Sequence, residues 1–406
     1  VQGNIFRTRD IALRGKEGMI DPDDGAQNDA HPDFRWDGAA LILRHLRETA
    51  FARLEKMVAD PRSDPVAIGA LATEIGGVLD GLARYQRHPY RHTVPGVPTL
   101  WTRGSTRVMD YGGGGIPLFV IPSMINRAFV MDLTVRQSRM RWLARNGFRP
   151  FLFDWGDPGP REAHFRIADY LESRLRPALA AARRATGGGP IHLAGYCMGG
   201  PIALALAASE PDGTGRIVTL GAPWDFEHFP EHQRFRDNRK ALEASLMTMA
   251  AFYGTIPPQV VQSFFAMRDL ESGAHKFRRF ASGDEMDAAA RRFVAIEDWL
   301  NDGIGMPLPV TLECFTEWLV DNALLDGSWD IGGRRLDVGA IRAPVMVVAG
   351  ARDAVVPPAS ALPLARAVGA ERLLQPPTGH LGIVLGEKAD HDIWTPMREF
   401  LSEDDG

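Results

Sequence analysis

Three side chains of this sequence have the types and the chain order needed to move an acyl group: the thiol of Cys197, the carboxylate of Asp353 and the imidazole of His380. Cys197 lies in the stretch IHLAGYCMGGPIA, where Gly195, Cys197 and Gly199 form a G-x-C-x-G frame. Apolar residues before it and small residues after it predict a strand, a tight turn and a helix. In such a turn the glycines let the nucleophile take up a strained backbone conformation at a helix N-terminus, where the dipole favours a thiolate. The structural alternative is a buried cysteine with no chemistry, because free cysteine is among the most buried residue types. What favours chemistry is the company the thiol keeps. A nucleophile needs a base and a group that orients the base. Asp353 follows the predicted strand APVMVVAG, and His380 follows the predicted strand RLLQPP in the loop TGHLG. An oxyanion would be met by the backbone N–H of Met198 and by a second N–H within Ser123-Met124-Ile125-Asn126.

The remaining histidines have weaker claims. His192 lies within the strand leading to Cys197 and is expected to pack. His228 and His232 have the i, i+4 spacing of zinc ligands, but no third ligand accompanies them, and no metal is expected. His164, His275 and His391 are expected on the surface.

These residues need a scaffold that brings strand ends together. TLWTRGS, TRVMDYG, PLFVIP, RPFLFDW, PIHLAGY, RIVTLGA, APVMVVAG and RLLQPP read as strands, and most of the later ones are separated by helical stretches. This alternation predicts an α/β fold around a mostly parallel, buried sheet. More than a hundred residues separate RIVTLGA from APVMVVAG, too many for a loop. They read as an inserted helical cap with Phe252, Phe264, Phe265, Met267, Trp299, Phe315 and Trp318 as its aromatic and methionine content. Upstream, Leu43, Leu46, Ala50, Leu54 and Met57, then Ile68, Leu71, Ile75, Val78 and Leu82, recur at helical spacing and predict a hairpin docked on the main domain. The expected organisation is an N-terminal helical extension (1–95), a first core segment (96–224), the cap (225–338) and a second core segment (339–406). The acidic stretch at 21–30 resembles a calcium loop, but Gly25 stands where an oxygen ligand is needed, and a solvated loop is expected.

Composition narrows the function classes. The chain has 406 residues, 45% of them hydrophobic, and a net charge of −5 from interspersed charges, which excludes a nucleic-acid footprint. Cys197 and Cys314 are its two cysteines, and reduced thiols in a cytoplasmic protein are expected. No apolar run of the roughly 18 residues that span a bilayer is expected, and VQGNIFRTRD lacks the apolar core of a secretory leader. Because Val1 rather than Met opens the chain, trimmed upstream residues are expected.

The frame G-Y-C-x-G-G also resembles dienelactone hydrolases, which are much shorter and have no large cap. Longer motifs decide. WTRGSTRVMDYG, PLFVIPSMINRAFVMDL and RWLARNGFRPFLFDWGDPG resemble the core of polyhydroxyalkanoate synthases of the α/β-hydrolase superfamily; Ile125, Asn126, Arg127, Asp132 and Leu133 match that family's P-x-x-I-N-[KR] segment and the turn after it. WLNDGIGMPLPVTLECFTEWLVDNALLDG and IGGRRLDVGAIRAPVMVV extend the resemblance, which is closest to the shorter, two-subunit class. It implies an α/β-hydrolase fold with Cys197 as acyl acceptor, His380 as base, Asp353 as the acid that orients it or helps activate the incoming hydroxyl, and the backbone of Ile125 and Met198 as oxyanion hole. It also implies a coenzyme A thioester as substrate with no tightly bound cofactor, and transfer of 3-hydroxyacyl groups onto a growing polyester. Expected partners are a second copy of the chain, a second synthase subunit or granule-associated proteins, and the expected location is the cytoplasm, on polyester granules. Where family members often carry Asp-His, this chain has Asp353-Ala354. The alternatives are a hydrolase with the same triad, whether polyester depolymerase, esterase or thioesterase, and a granule-bound relative without activity.

Overall fold

The computed structural model describes residues 38–266, 270–284 and 287–403. The acidic stretch at 21–30 and Met267 lie outside the described residues. Eight strands form one sheet: β1 (Thr99–Arg103), β2 (Thr106–Asp110), β3 (Ile116–Ile121), β4 (Phe148–Asp154), β5 (Ile191–Tyr196), β6 (Thr214–Leu220), β7 (Val345–Val348) and β8 (Arg372–Leu374). Their order is β1-β2-β4-β3-β5-β6-β7-β8. β1 and β2 form an antiparallel hairpin, β2 runs antiparallel to β4, and every later pairing is parallel. Each strand falls on a run that the sequence marks as β. β3, β5, β6 and β7 read as continuous apolar runs because helices cover both faces of a parallel sheet. β5 lies between β3 and β6, with Leu193, Ala194, Gly195 and Tyr196 all buried. The residue that follows it is therefore delivered to the middle of the sheet's edge.

The N-terminal segment is helical over Gly38–Leu46, Ala52–Ala59 and Pro65–Arg87. Pro65 at the first turn and the Asp64 side chain, which accepts from the Val66 N–H at 2.9 Å, start the longest of these. Leu46, Ile75, Val78 and Leu82 are buried as their spacing requires, but Leu43 is 43% exposed and Ile42 takes the inward position. Their partner is the helix Leu270–Ser282, within the insertion. A Cβ at Gly81 would lie 2.0 Å from the Phe277 carbonyl oxygen, so only glycine lets these helices meet at backbone distance. Ile42, Leu46, Val78, Leu82 and Tyr85 join Phe277, Phe280 and Val294 in a cluster separate from the main core. Pro65–Arg87 is also long and apolar enough to cross a membrane, which corrects the sequence reading. Val78, Leu82 and Tyr85 in its C-terminal half pack on the insertion.

Between β6 and β7 lie helices including His232–Asp237, Arg239–Tyr253, Pro258–Ala266, Leu270–Ser282, Ala288–Asn301 and Leu308–Leu312. Trp299 and Trp318 are buried, and Phe264 meets Phe235, Phe265 and Phe315. Phe252 departs from the expected aromatic core: it is 85% exposed at the end of its helix.

The insertion is fastened to the loop after β3. Asn126 donates through Nδ2 to the carbonyls of Trp299 and Leu300 at 3.0 and 3.2 Å. The Ile304 N–H donates to the Ile125 carbonyl at 2.9 Å, and Trp299 Nε1 donates to the Arg127 carbonyl at 2.7 Å. Arg127 pairs with Asp302 at 3.0 Å and with Asp157 at 2.8 Å. Asp132 accepts from Arg141 through both oxygens and from the Tyr111 hydroxyl, which fixes the turn that follows.

Candidate active site

Cys197 is the residue after β5, and its φ is +56°, a left-handed conformation that costs a non-glycine residue on the order of 1–3 kcal/mol. The glycines around it explain how the turn closes. A Cβ at Gly195 would stand 2.3 Å from the Gly199 carbonyl oxygen, one at Gly199 2.1 Å from the Ile121 carbonyl oxygen, and one at Gly200 2.4 Å from the Ala222 side chain. The turn therefore touches β3 backbone to backbone, and the start of its helix lies against the Ala222 side chain just past β6. The Cys197 N–H donates to the Leu220 carbonyl at 2.8 Å, and the helix Gly199–Ser209 begins two residues later. The thiol is buried but borders a cavity.

Asp353 and His380 arrive from the ends of β7 and β8. The two loops are tied together by the Arg352 N–H, which donates to the Thr378 carbonyl at 3.0 Å. Asp353 Oδ1 accepts from the backbone N–H groups of Val355 and Val356, both at 2.8 Å, which leaves Oδ2 to face His380 Nδ1 at 2.7 Å. His380 opens the helix His380–Leu385 and is 8% exposed; Asp353 is 4% exposed. Burial works against the protonated imidazole. The charges of Cys197 and Asp353 and hydrogen bonds to both outweigh it and push its pKa up to about 10. A thiol, an imidazole and a carboxylate in this order are the parts that nucleophilic acyl transfer needs.

Ile125 and Met198 lie beside Cys197, and all three border a small apolar cavity of about 70 Å³. The Ile125 N–H is 3.3 Å from Ser123 Oγ, a long bond that an incoming oxyanion can replace. Cys314 lines the same cavity, where burial, then the charges of Glu313 and Glu317, drive its thiol well above the ordinary range, so it stays protonated. Both cysteines are free.

The larger cavity, about 410 Å³, has Cys197 and His380 in its lining with Asn126 and Arg127. Ile125, Phe265 and Trp299, named in the sequence for the oxyanion hole and the cap, also line it. Gln262, Lys276 and Phe277 come from the insertion, Leu41 and Ile42 from the N-terminal helix, and Tyr196 from β5. Of these six, which the sequence did not single out, Tyr196 alone had a signal, its place directly before Cys197.

The other histidines lie elsewhere. His192 Nδ1 accepts from the Arg216 N–H at 2.7 Å, His232 Nδ1 is 2.7 Å from the Leu319 carbonyl oxygen, and His228 Nε2 is 3.5 Å from Asp225 Oδ2. His164, His275 and His391 are exposed. Among the described residues, no group of three or more His, Cys, Asp or Glu side chains could hold a metal ion.

The chain is similar to known proteins in fold and in sequence. Residues 140–387 match a family model described as the alpha/beta hydrolase fold. The chain is similar to the poly(3-hydroxyalkanoate) polymerase subunit PhaC of Haloarcula marismortui, 25% identical over 291 residues that cover 71% of this chain and 61% of that protein. The subunit of the same name from Haloferax mediterranei is 25% identical over 295 residues, covering 71% and 59%. That from Allochromatium vinosum is 23% identical over 291 residues, covering 71% and 81%. The chain thus spans about three fifths of the length of the first two relatives. The resemblance carried by the motifs from Trp101 onward is borne out by these matches.

Proposed function

The chain belongs to the alpha/beta hydrolase fold family, and from that premise we propose that it is a polymerase that transfers 3-hydroxyacyl groups from coenzyme A thioesters to the hydroxyl end of a growing polyester. The observation that carries this reading is a cysteine, not a serine, at the elbow, beside a His380–Asp353 pair joined Nδ1 to Oδ2 at 2.7 Å. The similarity to polymerase subunits supports it.

In the first step the Cys197 thiolate attacks the thioester carbonyl. The oxyanion is met by the N–H groups of Met198 and Ile125, the bond to the coenzyme A sulfur breaks, and His380 gives its proton to the departing thiolate. One thioester replaces another, so the acyl group keeps its transfer potential while it waits. In the second step the neutral His380 takes the proton of the chain-end hydroxyl as its oxygen attacks the acyl-enzyme. The new ester forms, the bond to Cys197 breaks, and the thiolate–imidazolium pair is restored. Asp353 holds the imidazole in the orientation both steps need. The reading extends to a cytoplasmic location on polyester granules, and to assembly with a second copy of the chain or a second subunit.

The test is incubation with 3-hydroxybutyryl-coenzyme A, following thiol release while the acyl product is analysed by mass and turbidity. Polymer, or chains growing on Cys197, is the expected result. Thiol release with only free 3-hydroxybutyrate would move the protein to the hydrolases and overturn the proposal.

A further inference from the structure

Beside the triad stands a residue that neither step uses. Tyr196, the last residue of β5, is 2% exposed, and its ring lies on the His380 imidazole with centroids 5.0 Å apart and planes 28° from parallel. Its hydroxyl donates to the His380 main-chain carbonyl at 3.4 Å, a long bond. Burial, then the charges of Cys197 and Asp353, drive the phenol pKa well above its ordinary range, so the hydroxyl keeps its proton.

We propose that Tyr196 is a positioning residue: its ring holds the His380 imidazole in the plane that serves both Cys197 and Asp353, and its π-face favours the charged form of that imidazole. This rests on the proposed function only for the rate readout below; the stack itself is independent of which acyl acceptor follows. The physical reasons are two. Asp353 grips the imidazole at Nδ1 and Cys197 also bonds to it, but the second bond is lost once the sulfur carries an acyl group, and a flat neighbour then keeps the ring from swinging about the first. A cation over an aromatic face is attracted to the ring's quadrupole, and the attraction is largest where water is excluded. The titratable groups facing His380 are Cys197 and Asp353, with Tyr196 itself, and a ring stacked with its centroid 5.0 Å away adds to their effect without adding charge. The ring rather than the hydroxyl is the working part, since the hydroxyl bond is long and ends on the backbone.

Three variants separate these roles: Tyr196→Phe keeps the ring and removes the hydroxyl, while Tyr196→Leu and Tyr196→Met remove the ring. In the full-length protein, the His380 ring nitrogens are titrated by NMR, and thiol release from 3-hydroxybutyryl-coenzyme A is measured across pH. Loss of the ring is expected to lower the His380 midpoint by about one pH unit, tenfold in its protonation equilibrium. It should cut kcat roughly tenfold with KM within about twofold, whereas Tyr196→Phe restores both to within about threefold of wild type. A His380 midpoint that stays put in whichever ringless variant folds would overturn the proposal, as would a Phe variant as impaired as the ringless ones. The titration needs no substrate, so failure of the polymerase reading leaves it intact as a test.

Discussion

Gly221→Ala tests whether catalysis depends on where the imidazole sits. Gly221 follows β6, its N–H donates to the Val348 carbonyl at 2.8 Å, and its φ is +57°. A Cβ there would stand 3.2 Å from both Cε1 and Nδ1 of His380 and 3.0 Å from Ile383 Cδ1. Two costs follow. The left-handed backbone penalises alanine by about 1–2 kcal/mol, small against the 5–15 kcal/mol that typically holds a domain folded. The contact also obliges the imidazole to yield by a few tenths of an ångström. If a displacement of 1 Å costs about 100-fold in rate, a quarter to a half of that costs roughly 3- to 10-fold. Gly254→Ala is the control: φ is +79° there and nothing lies within 4 Å of the added methyl, so the backbone penalty comes without the push on His380. The assay pairs urea denaturation with initial rates of thiol release. Both variants are expected to lose similar stability, and only Gly221→Ala to lose rate. Equal rates in the two variants would refute the reasoning, because the imidazole would then tolerate displacement.

Cys197→Ala is expected to abolish thiol release while leaving the fold intact, and Cys197→Ser to lose most of the activity, since a hydroxyl is a poorer nucleophile than a thiolate unless its base is well matched; circular dichroism and the release assay check both. The pH dependence of stability has a defined sign. A His380 pKa raised to about 10 means that the folded state holds this proton more tightly than the unfolded chain, whose histidines titrate near 6.5. The resulting stabilisation is complete below about pH 6.5 and is lost as pH rises towards about 10, so the melting temperature of wild type should fall towards that of His380→Gln across this window. Glu162 and Arg174 form an ion pair at 2.7 Å with each side chain 4% exposed, and Glu162 also accepts from the N–H groups of Ser105 and Gly159. Glu162→Gln leaves the guanidinium without its counter-charge and should cost about 3–5 kcal/mol in chemical denaturation.

The sheet was legible because a parallel sheet covered on both faces leaves unbroken apolar runs, and because Gly195 and Gly199 have no other use than a turn that admits no side chain. Asp353 and His380 were legible for a related reason, since each stands just past a strand that must end near Cys197. What the sequence hid depends on contacts between distant segments. Leu43 and Ile42 are equally apolar, and only the packing against the helix Leu270–Ser282 decides that Ile42 faces inward. Phe252 has the composition of a core residue, yet its helix ends in solvent. Asn126 was visible as part of a motif, but its work of gripping the carbonyls of Trp299 and Leu300 appears only when the insertion is in place.

That grip bears on how an acyl-thioester could outlast water. Ile125, Asn126 and Arg127 bond to residues 299–304 of the insertion, while the loop they belong to also reaches Cys197 through the small cavity. Leu41 and Ile42 add the N-terminal helix to the wall of the larger one, with Ile42 reaching to within 3.2 Å of where a Cβ at Gly273 would lie. The Cys197 thiol is thus bordered by three stretches of chain that no single motif contains. A water molecule and a chain-end hydroxyl carry the same nucleophilic oxygen, so the triad alone cannot choose between them. Exclusion by the surrounding wall can, because the hydroxyl arrives on an apolar polyester that favours such a cavity and water does not. On the proposed function, the choice between polymer and hydrolysis therefore belongs to the insertion and the N-terminal helix, and only the second of these lies outside every motif of the sequence.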